Sequence, residues 1–155
     1  VKSLILAGSA LAMALVAGPA GAQNINNDPI YATVNLSAGF DNDPYTVDLS
    51  SGGSNAASEL GSPCSGYIAT SPDVRLVYDA GSLPLIISVN SKADTTLVVN
   101  APDGRWYCDD DGGNGNNPSV RFNSPRSGRY EVWVGTYGSG EMHSATLNIS
   151  ELYSQ

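Results

Sequence analysis

The stretch Cys108-Asp109-Asp110-Asp111-Gly112-Gly113-Asn114-Gly115-Asn116-Asn117 sets three consecutive carboxylates, three glycines and three side-chain amides behind a cysteine. This is a poor core sequence and a good hard-cation loop. Carboxylates crowded this closely repel one another. A folded loop must spread them into water or neutralise them with a cation that takes six to eight oxygens, and calcium is the ion that suits such donors. Asp109 and Asp111 are the expected carboxylate ligands, with Asp110, Asn114 or Asn117, backbone carbonyls and water completing the shell. Glycines at 112, 113 and 115 would let the backbone fold tightly around the ion. An EF-hand is excluded, because the bidentate Glu is absent and the flanking segments read as strands. The alternative is an acidic loop that is solvated and holds no ion.

A hairpin should position this loop. Thr95–Asn100, the turn Ala101-Pro102-Asp103-Gly104 and Arg105–Cys108 pair naturally, since Pro-Asp-Gly supplies the preset φ and the left-handed position of a tight turn. Pairing outward from the turn brings Asp94 to the same end as Asp109, Asp110 and Asp111, making it a further expected ligand. Asp103 falls at the opposite end, roughly 20 Å away at the usual strand rise, and reads as a turn residue.

Other chemistry has weaker support. His143 is the only histidine, so a zinc site is not expected, and it reads as a surface residue. No G-x-S-x-G elbow accompanies it, and no motif marks a carboxylate pair with a raised-pKa acid. A small secreted hydrolase therefore stands as the alternative to a non-catalytic protein. Trp106, Tyr107, Trp133 and Tyr137 offer aromatic surface that could stack on a sugar or a partner; the competing reading places most of them in the core. Successive strand residues point to opposite faces, so at least one of Trp106 and Tyr107 is expected outside the core.

The elements that must carry these residues read as all-β. Period-2 alternation recurs between turn signals at Ile30–Leu36, Tyr45–Leu49, Tyr67–Ala69, Val74–Tyr78, Leu85–Val89, Thr95–Asn100, Arg105–Cys108, Val120–Asn123, Tyr130–Tyr137 and Ser144–Leu152. About nine or ten short strands of this kind fit an antiparallel, jelly-roll-like β-sandwich. Ala145, Leu147 and Ile149 should face one way and Thr146, Asn148 and Ser150 the other. Thr33-Val34-Asn35-Leu36-Ser37-Ala38-Gly39 is echoed by Thr46-Val47-Asp48-Leu49-Ser50-Ser51-Gly52, which suggests two similar strand-then-turn units. From Gly52 to Pro63 the composition reads as a loop tethered by Cys64.

The first 22 residues run from Val1-Lys2-Ser3 through an apolar stretch to Ala20-Gly21-Ala22, which reads as a secretory signal peptide with an A-x-A-like cleavage site. The sequence lacks an initiating Met. The mature product is expected to begin near Gln23, with residues 23–155 forming one β-sandwich domain. No later segment reads as a membrane span. The formal charge of −8 argues against nucleic acid, because no basic patch could displace phosphate counterions. Export, to the periplasm or beyond the cell, permits Cys64 and Cys108 to pair, and one disulfide is expected, against the alternative of two buried thiols.

The run from Ala93 to Glu151 resembles the bacterial pre-peptidase C-terminal domain family. The resemblance rests on Asp94-Thr95-Thr96-Leu97-Val98-Val99, Pro102-Asp103-Gly104, the cysteine-acidic loop, Pro125-Arg126-Ser127-Gly128-Arg129-Tyr130 and Val132-Trp133-Val134-Gly135. The layout is also similar to the calcium-binding P-domain of proprotein convertases and to collagen-binding domains of secreted collagenases. The resemblance implies a jelly-roll module that accompanies secreted peptidases without being catalytic; here no peptidase domain is expected ahead of it. The expected function is thus a secreted, calcium-binding module with a binding, accessory or structural role. Its partner would be an extracellular protein or polysaccharide of unknown identity, and self-association through an edge strand is a further option.

Overall fold

The computed structural model describes residues 23–155; the expected signal segment, residues 1–22, lies outside the described residues. Eleven strands follow in order: β1 (Ala32–Ser37), β2 (Tyr45–Ser51), β3 (Asn55–Ala56), β4 (Tyr67–Ile68), β5 (Val74–Asp79), β6 (Leu85–Ser91), β7 (Thr95–Asn100), β8 (Trp106–Asp109), β9 (Ser119–Phe122), β10 (Gly128–Thr136) and β11 (His143–Ser150). Ten coincide with segments whose alternation marks them as strands. The short β3 and the 3-10 turn Ala57–Leu60 lie in the stretch expected to be loop. Its Ser, Gly, Asn and Ala residues carry no apolar period, and β3 exists because it pairs with β4, Asn55 opposite Ile68.

The strands form two sheets. In the seven-stranded sheet, β10 is central: β5 and then β4 pair along one edge, and β7 followed by β8 lies on the other. The second sheet runs β2-β11-β6-β9. The pairings are antiparallel except that β1 lies parallel to β5, Ala32 opposite Val74 through Ser37 opposite Asp79. A parallel neighbour needs a crossover, and here the chain makes it by way of β2 in the opposite sheet. The two echo copies thus become β1 and β2, one in each sheet, and each ends on a glycine with positive φ, Gly39 at 80° and Gly52 at 106°. That left-handed conformation is one a side chain would resist.

The main core lies between the sheets. The seven-stranded sheet contributes Val34, Val74, Leu76, Tyr78, Leu97, Val99, Tyr130, Val132 and Val134, and the other contributes Leu49, Leu85, Ile87, Val89, Val120, Ala145, Leu147 and Ile149. The inward set on β10 and β11 is the one the alternation specifies. The opposite face of β10 is buried as well. Trp133 packs there with Val98, Ile68, Ala57 and Cys64, covered by Ile25, Leu60 and Trp106.

Two buried acids belong to this architecture. Asp73 fills the gap between β4 and β5 along β10, where its Oδ2 accepts the Val134 N–H at 2.7 Å. Burial pushes its carboxyl up to about 7, against the pull of that hydrogen bond. Glu131, on the covered face of β10, accepts from Arg75 Nε at 2.6 Å and Arg129 Nε at 2.9 Å through the same oxygen. Arg75 also donates to the carbonyls of Ile25 and Asn27, so the triad fastens the segment before β1 across the sheet.

Candidate functional site

The β7–β8 hairpin sets the frame. Asn100 faces Trp106, Val98 faces Cys108 and Leu97 faces Asp109, so the strands diverge at the end where Asp94 precedes β7 and Asp110 follows β8. Asp103 sits at the other end as a turn residue. Its carboxylate accepts the Tyr107 hydroxyl at 2.7 Å and the Arg105 N–H at 3.0 Å, and these two bonds, the hydroxyl first, hold its carboxyl below the usual range.

Cys64 and Cys108 form the disulfide, with Cα atoms 4.9 Å apart. The bridge fixes the start of the acidic loop to the segment after the 3-10 turn. A second tie, the Ser65 hydroxyl donating to Asp110 Oδ2 at 3.2 Å, lies beside it. The loop's far side is held by the C-terminus, where Asn114 N–H donates to the Gln155 carbonyl at 2.9 Å.

Inside the loop the expected ligands divide into two groups. Asp109 is committed to backbone, its Oδ2 accepting the N–H groups of Gly112 at 2.7 Å and Ser119 at 2.8 Å. Asn117 is committed too: its amide donates to the carbonyls of Ser91 and Asn114, and its Oδ1 accepts the Thr95 hydroxyl at 2.9 Å. These side chains shape the loop. The carboxylates of Asp94 and Asp111 and the side-chain amide of Asn114 have no hydrogen-bond partner among the described residues. Asp111 is raised above the ordinary carboxyl range, first by loss of hydration and then by the negative charges of Asp110, Asp94 and Asp109. Asp94 therefore does join the acidic end. Among the described residues no three His, Cys, Asp or Glu side chains gather closely enough to hold a metal ion. Sequence spacing could group these carboxylates but could not show that Asp109 and Asn117 would be spent on backbone.

Of the four aromatic residues, Trp133 is core, Trp106 and Tyr107 are partly buried against the two clusters, and Tyr137 is exposed, in line with the reading that places most of them in the core. Trp133 is fully buried and lies 5.4 Å, centroid to centroid, from Trp106. Trp106 is on the outward face of β8, yet that face is covered by the second apolar cluster. Tyr107 packs edge-on against Phe122 at the rim of the main core. Tyr137 alone of the four is exposed, at 57%. It belongs to the β10–β11 connection, which also exposes Met142, and its N–H donates to the Asp94 carbonyl at 3.2 Å, placing it at the acidic end.

His143 opens β11 and is partly exposed, its Nε2 lying 3.1 Å from Glu141 Oε2. It borders a broad groove of about 810 Å³ together with Asp48, Asn90, Lys92 and Thr146. The buried acids Asp73, Glu131 and Glu151 escaped the sequence reading, since a single acid within or beside an apolar strand gives no sign of its partner. Glu151 accepts the Tyr78 hydroxyl at 2.6 Å and the Gly39 N–H at 2.7 Å, and its own N–H donates to Asp43. Its role is to close the β1–β2 connection onto the end of β11.

The fold and this end of it define a small, disulfide-linked β-sandwich with an acidic loop. No protein-family model matches the chain, and no curated protein does so significantly. Among solved structures the chain is similar to the pre-peptidase C-terminal domain of a collagenase from Bacillus anthracis, at 19% identity and a TM-score of 0.42, with 81% of this chain and 98% of that one covered. It is also similar to PliG, a periplasmic inhibitor of g-type lysozyme from Aeromonas hydrophila, at 15% identity and a TM-score of 0.37, with 76% of this chain and 96% of that one covered.

Proposed function

We propose that this chain is an exported, non-catalytic β-sandwich module whose acidic end takes up calcium and presents a surface to an extracellular partner. The observation that carries this reading is the gathering of Asp94, Asp109, Asp110 and Asp111 at one end of the β7–β8 hairpin, where loss of hydration and then the charges of the neighbouring carboxylates raise the Asp111 carboxyl. A divalent cation relieves that repulsion, and oxygen donors are the only kind this loop offers. Asp94 and Asp111, whose carboxylates are uncommitted, would be the principal ligands. Asp110, Asn114, backbone carbonyls and water would supply the rest, while Asp109 and Asn117 hold the loop in shape. The exposed Tyr137 and Met142 lie at the same end and would supply apolar contact area to a partner.

Calorimetric titration with calcium, and thermal melts with calcium or chelator, test the reading on the wild type and on Asp94→Asn and Asp111→Asn. Heat of binding and a calcium-dependent rise in melting temperature are expected for the wild type, both weakened in each variant. A wild type that shows neither overturns the calcium site. Turnover of general protease or glycosidase substrates, lost in these variants while the fold is retained, would replace the module by an enzyme.

A further inference from the structure

The sequence contains three pairs in which Asp or Asn precedes Gly: Asp103-Gly104, Asp111-Gly112 and Asn114-Gly115. In such a pair the glycine nitrogen can attack the preceding side-chain carbonyl, because no Cβ obstructs ring closure and the backbone is free to turn. The attack needs both reacting groups unengaged. In the first pair Gly104 N–H donates to the Ala101 carbonyl at 2.9 Å, and the Asp103 carboxylate is held by Arg105 and Tyr107. In the second, Gly112 N–H is tied to Asp109 Oδ2 at 2.7 Å.

The third pair differs from both. Asn114 is anchored through its backbone, its N–H to Gln155 and its carbonyl to the Asn117 amide. Its side-chain amide and the Gly115 N–H have no hydrogen-bond partner among the described residues. Both residues are exposed, Gly115 has φ +66°, and nothing lies within 4 Å of the place a Cβ would take.

We propose that Asn114 is a site of deamidation through a succinimide. The Gly115 nitrogen bonds to Asn114 Cγ, the Cγ–Nδ2 bond breaks, and the proton lost by Gly115 leaves with Nδ2 as ammonia. Water then opens the ring at either carbonyl, giving aspartate or the β-linked isomer, with no change of oxidation state. Either product adds a carboxylate to a loop that already carries Asp109, Asp110 and Asp111. The β-linked product also lengthens the main chain beside the contact with Gln155. The chemistry does not depend on the calcium reading, although it changes the charge of the same loop.

The test is incubation of the folded full chain with chelator at neutral pH and body temperature, followed by peptide mapping and ion-exchange chromatography. A one-dalton mass gain is expected at Asn114 before any other asparagine, resolved into two isomers, together with a more acidic species of the intact protein. Asn114→Gln, which would have to close a larger ring, should abolish the gain, and Gly115→Ala should slow it. An unmodified Asn114 under conditions that deamidate a short peptide of the same sequence would overturn the proposal. So would equal reaction at Asn116 or Asn117, or isomerisation of Asp111 at the same rate.

Discussion

The carboxylate of Asp73 accepts the backbone N–H of Val134 at 2.7 Å in the middle of the central strand, where neither β4 nor β5 reaches. A side chain thus stands in for a missing stretch of strand. Its carboxyl is raised from 3.8 to about 7, so the folded chain holds this proton more tightly than the unfolded chain does. The contribution of the group is full below 3.8, falls as pH rises, and levels off above about 7. The span corresponds to roughly 4 kcal/mol as an upper figure. Asp73→Asn keeps an oxygen for the Val134 N–H and removes the titration. Denaturant unfolding of both proteins across this range should show the variant gaining on the wild type as pH rises. A constant difference would mean that Asp73 does not titrate there.

Glu131 is 1% exposed, Arg75 15% and Arg129 45%, although both arginines reach the same oxygen. Burial raises the Glu131 carboxyl, and the hydrogen bond and charge of Arg75, then the charge of Arg129, oppose it. Glu131→Ala would leave Arg75 buried without its partner, at about 3–5 kcal/mol. Arg129→Ala should cost under about 1 kcal/mol, because its side chain is largely in water. Urea midpoints for the two variants should therefore differ widely.

Trp133 lies within β10 and Tyr137 just beyond its end, and the two have opposite surroundings, one fully buried and the other exposed. Trp133→Ala empties the centre of the second cluster and should cost about 3–5 kcal/mol. Tyr137→Ala should stay within about 0.5 kcal/mol. If Tyr137 contacts a partner, its replacement will weaken binding without moving the melting temperature.

The Cys64–Cys108 bridge spans 44 positions of sequence. Replacing both cysteines by alanine should cost about 2–5 kcal/mol, the range for removing a native disulfide. Calcium binding measured on that variant at a temperature where it remains folded will show how far the loop relies on the tether.

Much of the sandwich is legible in alternation alone. Tyr130, Val132 and Val134 on β10, and Ala145, Leu147 and Ile149 on β11, face the main core as their spacing requires. The hairpin turn at Pro102-Asp103-Gly104 likewise sorts Asp94 and Asp103 to opposite ends. What alternation does not reveal is a second cover. Trp133 and Glu131 occupy positions that read as outward, and they are buried because the segment around Ile25 and the turn Ala57–Leu60 lie across them. The parallel β1–β5 pairing is hidden for a similar reason, since a strand's neighbour depends on the route of the chain between them. Within the acidic loop the residue types suggest ligands, while the backbone N–H groups decide which of them are free.

The cover over β10 has a kinetic consequence. This strand has neighbours on both edges and side chains packed on both faces, so solvent reaches its amides only when the structure as a whole opens. The second sheet is different at one end: Asp48, Thr146 and Asn90 stand in register on the uncovered part of its outer face, and β2 and β9 form its edges. Hydrogen exchange should therefore be graded across the molecule, slow and global in β10 and fast through local fraying in β2 and β9. A partner or crowded surface that protects only the fast amides would reveal which side of the sandwich meets its surroundings.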